Sequence, residues 1–85
     1  MNSSTTESFR RQLAALPPDI QNLAKKAYHL WRVNPNHPAV HFKKVGNYWS
    51  ARISESHRAL GKIKDGTMYW FWIGPHDEYQ RRIRG

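Results

Sequence analysis

At Pro38 the spacing of apolar residues changes from about 3.6 to about 2, and that change decides what this chain can fold into. Before it, Ile20, Leu23, Ala24, Ala27, Leu30 and Trp31 form one helical stripe ending near Asn34-Pro35. Pro18 opens that helix, where a missing N–H costs nothing, and Asp19 suits the first turn. An earlier run, Phe9, Leu13 and Leu16, stops at Pro17; Ser4 and Glu7 have the S-x-x-E spacing of a capping box at its start. Residues 1–3 are expected to be a loose tail. The two runs predict a helical hairpin with Arg10, Arg11, Lys25, Lys26 and Arg32 on exposed positions.

After Pro38, Val40–Lys44, Trp49–Ile53, Arg58–Lys64 and Thr67–Ile73 read as strands. Gly46-Asn47, Glu55-Ser56 and Asp65-Gly66 separate them, the last being the strongest hairpin signal. A two-residue turn at Asp65-Gly66 sets Ile63 opposite Met68, Gly61 opposite Trp70 and Ala59 opposite Trp72. With Trp49, Ala51 and Ile53, these make an apolar face for the helices to cover. The expected fold is therefore α+β: a helical hairpin on a three- to four-stranded antiparallel sheet, then a short C-terminal helical turn, in one domain spanning 1–85.

A chain of 85 residues without cysteine has neither disulfides nor thiolate metal sites to support a small core. Four Trp, four Tyr and three Phe must supply much of the buried area. Met1–Glu7 is polar, unlike a secretory signal, and no apolar run approaches the ~20 residues of a membrane span, so a soluble, cytoplasmic protein is expected. Fourteen Lys and Arg against six Asp and Glu give a formal net charge of +8, which points to a polyanionic partner. No helix combines a basic face with a broad exposed apolar one, so that partner is not a membrane.

The sheet face turned away from the helices is the expected functional face. Alternation gives it Tyr48, Ser50, Arg52, Arg58, Leu60, Lys62, Tyr69, Phe71 and Ile73. A short turn through Glu55-Ser56 can place Arg52 and Arg58 side by side, an unfavourable pairing unless an anion lies between them. Arginine's fork matches phosphate, and the competing partners, Glu55, Asp77 and Glu78, are few. Gly74-Pro75 ends the last strand, and a short helix over His76–Arg82 puts His76 and Tyr79 on one side. Imidazole is the side chain best suited to proton transfer near neutral pH. His37 and His41 have i,i+4 spacing, but Pro38 and the strand pattern deny them a helix, and no metal or other cofactor is expected. No Gly-rich phosphate loop or nucleophile elbow is present. RNA cleavage fits what remains, because RNA carries its own nucleophile, the 2′-OH, and needs only a base, an acid and cations around the phosphate.

The order of motifs adds a resemblance. Phe9…Leu13…Leu16-Pro17-x-x-Ile20, Asn34-Pro35-x-His37-Pro38, Phe42-Lys43-Lys44, Tyr48-x-x-x-Arg52-Ile53, His57-Arg58-Ala59-Leu60-Gly61 and Trp72-Ile73-Gly74-x-His76-x-x-Tyr79 together resemble the RelE/ParE superfamily of type II toxin–antitoxin toxins. The likeness is strongest to the RelE- and HigB-like branch and runs from Phe9 onward. It implies an antitoxin partner, usually acidic in its toxin-binding segment, and metal-free cleavage of mRNA on the ribosome. By motif, Arg52 and Arg58 match phosphate-engaging positions, and Lys43 and Lys44 a basic strand that contacts RNA. His76 and Tyr79 match C-terminal acid–base positions, and Tyr48 and Lys62 are added as RNA-binding candidates on the same face. Two departures stand out. Trp49 and Ala51 occupy the stretch where one branch has a lysine-rich catalytic strand, and much of the usual first strand is missing before the first helix.

Two other functions compete with RNA cleavage. A ParE-type toxin that binds DNA gyrase would share the fold and need neither His76 nor Tyr79. A degenerate homologue kept for interaction alone would not be toxic. The His76…Tyr79 pair beside basic strands favours the ribonuclease.

Overall fold

The computed structural model describes residues 2–84. The helices lie where the apolar stripes put them: α1 spans Glu7–Ala14 and α2 Pro18–Val33, with proline at the start of the second. Phe9 is buried from α1, and Ile20, Ala24, Ala27 and Trp31 from α2. Leu23, at the edge of the stripe, is 40% exposed. The five basic residues of the hairpin are all exposed.

The N-terminus departs from expectation. Asn2–Thr5 forms a strand, β1, paired in parallel with the last strand from Asn2 opposite Thr67 to Thr5 opposite Trp70. Residues 2 and 3 are thus not a loose tail, and the first strand is short but present; Met1 lies outside the described residues. Pairing holds Ser4 extended, so the predicted capping box does not form. Thr6 caps α1 instead, its side-chain oxygen accepting from the Phe9 N–H at 3.1 Å.

The sheet has five strands: β2 (Lys43–Val45), β3 (Tyr48–Arg52), β4 (His57–Lys64) and β5 (Thr67–Pro75) join β1 in the order β1-β5-β4-β3-β2. Four are antiparallel, as expected, and β1 adds the parallel edge. The strand expected from Val40 starts three residues later. Pro38–Val40 is a 3₁₀ turn that buries Val40, and His41 after it adopts left-handed backbone. The Asp65-Gly66 turn has positive φ at both residues, 51° and 79°, as a tight hairpin of this hand requires.

That turn sets Ile63 opposite Met68 and Gly61 opposite Trp70 as expected, but the register then slips. Leu60 faces Trp72 and Ala59 faces Ile73, leaving Phe71 as the extra residue of a β-bulge. The bulge exchanges two side chains between faces. Ile73 joins the core beneath the helices, and Trp72 turns to the other side. On the helix side, Trp70 meets Trp31 edge-on with ring centres 5.4 Å apart, and Phe42 stacks on Trp49 at 4.7 Å. Gly61 is needed there: a Cβ would come within 2.6 Å of the Met68 sulfur and 2.8 Å of the Trp70 ring.

The opposite face is not open throughout. α3 spans His76–Ile83, one residue longer than the expected His76–Arg82, and packs on β4 and β5. Beneath it Leu60, Trp72 and Tyr79 form a second core, flanked by Val45, Tyr48, Phe71 and Ile83. Leu60, expected on an exposed surface, is fully buried. Among the described residues no helix is long and apolar enough to cross a membrane.

Candidate active site

The edge of this second core opens into a cleft of about 210 Å³. Arg52 and Arg58 occupy directly opposed positions on β3 and β4, the juxtaposition expected from a short turn. His76 and Tyr79 reach the same cleft from α3, and Lys43 from β2. His41, Ser50 and Gln80 complete its polar lining, with Val45 and Ile83 as apolar wall. None of these lining residues is a carboxylate.

The β3–β4 turn ties the site together. Arg58 Nη1 donates to the Ser54 carbonyl at 2.5 Å and to the His57 carbonyl at 2.9 Å, with a longer approach to Glu55 at 3.4 Å. The turn in turn holds α3, because the Ser56 carbonyl accepts from the His76 backbone N–H at 2.8 Å. One guanidinium therefore braces the loop that sets the position of the imidazole. The His76 and Tyr79 rings lie 5.7 Å apart, and Gln80 Nε2 is 3.4 Å from His76 Nε2.

Charge is unevenly compensated. Among the described residues Arg52 has one salt-bridge partner, Glu55, at 4.0 Å, whose side chain is 95% exposed, and so water screens most of that attraction. Arg58 donates to backbone carbonyls and has no salt bridge among the described residues. Burial lowers the Arg58 pKa from its ordinary value, the Arg52 charge lowers it further, and Tyr79 opposes both. The pair is thus held as a like-charge couple that an anion would relieve.

The remaining RNA-binding candidates divide. Tyr48 packs edge-on against Phe71, ring centres 5.1 Å apart, on the cleft face but outside the lining. Lys62 pairs with Tyr69 farther along that face. Lys44 pairs with Trp49, whose ring belongs to the helix-side core, so Lys44 points away from the cleft while Lys43 points into it.

Ser50 was already on the expected functional face, whereas His41 and Gln80 were not anticipated as lining residues. Gln80 was readable by its i,i+4 spacing from His76. The direction of His41 depends on a backbone conformation that alternation does not anticipate.

No family model and no curated protein matches this sequence. Solved structures do match. YafQ from E. coli strain BL21(DE3) aligns with a TM-score of 0.73 at 13% identity, covering 92% of this chain and 96% of that one. The YoeB/ParE toxin from Agrobacterium tumefaciens gives 0.70 at 14% identity, over 89% and 99% of the two chains. The RelB-RelE antitoxin-toxin complex from Methanococcus jannaschii gives 0.66 at 16%, over 92% and 95%. The fold is that of the RelE/ParE toxins. At these identities the likeness is one of architecture, and it extends over nearly the whole of each of these neighbours. The cleft lies on the sheet face opposite α1 and α2.

Proposed function

We propose that this chain is the toxin of a type II toxin–antitoxin pair and cleaves mRNA, on the ribosome and without a metal ion. The observation that carries the reading is the convergence of Arg52, Arg58, His76 and Tyr79 in one carboxylate-free cleft. Arg52 and Arg58 hold the scissile phosphate and take up charge as the phosphorane forms. His76 moves a proton, and Tyr79, 5% exposed and beside it, orients the imidazole or shares in that transfer. The 2′-oxygen supplies the nucleophile, so the protein need not generate one. Lys43 extends the positive wall, while Tyr48 and Lys62 meet RNA beyond the cleft. Lys44, on the far side of the edge strand, serves ribosome or antitoxin better than the scissile strand.

The antitoxin-toxin complex among the structural neighbours supports an antitoxin partner. A net charge of +8 suits a partner acidic in its toxin-binding segment. The reading is tested by primer extension on a defined mRNA, with and without programmed ribosomes. Cuts that require ribosomes and vanish in a folded His76→Ala protein are expected. Intact mRNA from folded wild type, with DNA breaks in the presence of gyrase, would move the protein to the ParE class of action.

A further inference from the structure

Tyr69 stands exposed on a strand whose neighbouring side chains are both claimed by the core. Met68 and Trp70 are buried beneath the helices, so alternation turns Tyr69 to the opposite face, where it is 40% exposed. Among the described residues the other exposed large apolar side chains, Leu23 and Val33, both belong to α2. Strand propensity alone would be met as well by a smaller β-branched residue, and burial does not call for a ring at this position.

The surroundings of Tyr69 supply the second observation. Phe71 meets Tyr48 edge-on over the intervening β4, and these two rings flank the second core at the border of what α3 covers. Tyr69 lies beyond that border, two residues from Phe71. Lys62 is its direct partner on β4, and Lys64, two residues farther along, shares the face of Lys62. Both lysines are exposed and neither has a salt bridge among the described residues. β4 and β5 carry no carboxylate; Asp65 sits in the turn that joins them. An exposed ring beside unpaired ammonium groups suits an aromatic base joined to a phosphate. Lys62 is four residues from Arg58 on β4, about 13 Å at the rise of a strand, so this surface is separate from the cleft yet continuous with it.

We propose that Tyr69 and Lys62 form a nucleotide subsite outside the catalytic cleft; the proposal rests on RNA being the ligand of this sheet face. Tyr69 stacks on one unpaired base of a single strand, and Lys62 meets an adjacent phosphate. The strand held at Arg52 and Arg58 continues past Tyr48 and Phe71 to reach them. Every base offers a π-face, so the subsite lends affinity rather than sequence preference.

The probe is a short single-stranded 2′-fluoro RNA, which lacks the nucleophile and is not cut, carrying 2-aminopurine, a base whose fluorescence is quenched on stacking. Wild type, Tyr69→Thr, Tyr69→Trp and Lys62→Ser are titrated against it over a range of salt concentrations. Threonine suits a strand and removes the ring, so Tyr69→Thr should stay folded, as thermal melting checks. Its Kd should rise about 5- to 150-fold with loss of the quench, and Tyr69→Trp should restore both. Lys62→Ser should keep the quench at saturation and reduce the slope of log Kd against log salt by about 0.7. Wild-type Kd and quench in Tyr69→Thr, or a wild-type protein that binds no RNA, would overturn the subsite. Primer extension on programmed ribosomes judges the reaction separately. Cuts by wild type beside an unaltered Tyr69→Thr titration would leave RNA cleavage standing without the subsite. The expected loss of quench with no cuts would uphold the subsite and remove the reaction.

Discussion

Inorganic phosphate should stabilise this protein through the Arg52–Arg58 pair, and the size of the effect follows from the structure. The two guanidinium groups sit at directly opposed strand positions, one paired weakly with an exposed Glu55 at 4.0 Å and the other with no salt bridge among the described residues. Burial and the Arg52 charge both lower the Arg58 pKa, so in the free fold the charged form is held at a disadvantage that an anion offsets. Two charge-assisted hydrogen bonds contribute about 3–6 kcal/mol together, before the entropy of capturing the ion is subtracted. A Kd on the order of 1–10 mM follows. At ten times Kd the folded state gains about 1.4 kcal/mol, which for a domain of this size raises Tm by about 6–11 °C. The assay is thermal melting in a phosphate titration at constant ionic strength, run beside the Arg52→Met and Arg52→Met/Arg58→Met proteins. The double variant should lose the site-specific rise, keeping the small general stabilisation that phosphate gives any protein. Equal shifts in wild type and double variant would refute the reasoning, because the arginine pair would then bind no phosphate.

Two further outcomes test the packing and register from which the site is built. Gly61→Ala should cost about 1–3 kcal/mol in urea denaturation, because its Cβ would fall 2.6 Å from the Met68 sulfur beside the Trp70 ring. Lys43→Ser should weaken RNA binding more than Lys44→Ser in a salt-titrated fluorescence assay, since Lys43 lines the cleft and Lys44 shares the face of Trp49; equal losses would argue against the register.

Much of this architecture was legible because local chemistry and global fold agree in it. The 3.6-residue stripe from Ile20 to Trp31, the proline at the start of α2, and the Asp65-Gly66 turn each act within a few residues. The opposition of Arg52 and Arg58 was legible because the short connection over residues 53–56 keeps the ends of their strands adjacent. Likewise His76 and Tyr79 share a helix side by spacing alone.

What lay outside the sequence's reach depends on partners distant along the chain. Nothing in Asn2–Thr5 marks a strand until β5 offers it a parallel edge. That pairing holds Ser4 extended and passes the cap of α1 to Thr6. The bulge at Phe71 arises where two cores compete for neighbouring aromatic residues, Trp70 for the helix side and Trp72 for the side beneath α3. His41 enters the cleft because Val40 and Phe42 are claimed by the helix-side core, which leaves the residue between them to turn the other way. The sequence by itself determined which residue types could bind and cleave a phosphodiester, because charge and proton affinity belong to side chains. Only the tertiary structure decided which of them meet, because a bulge or a left-handed residue changes the face of a side chain without changing its chemistry.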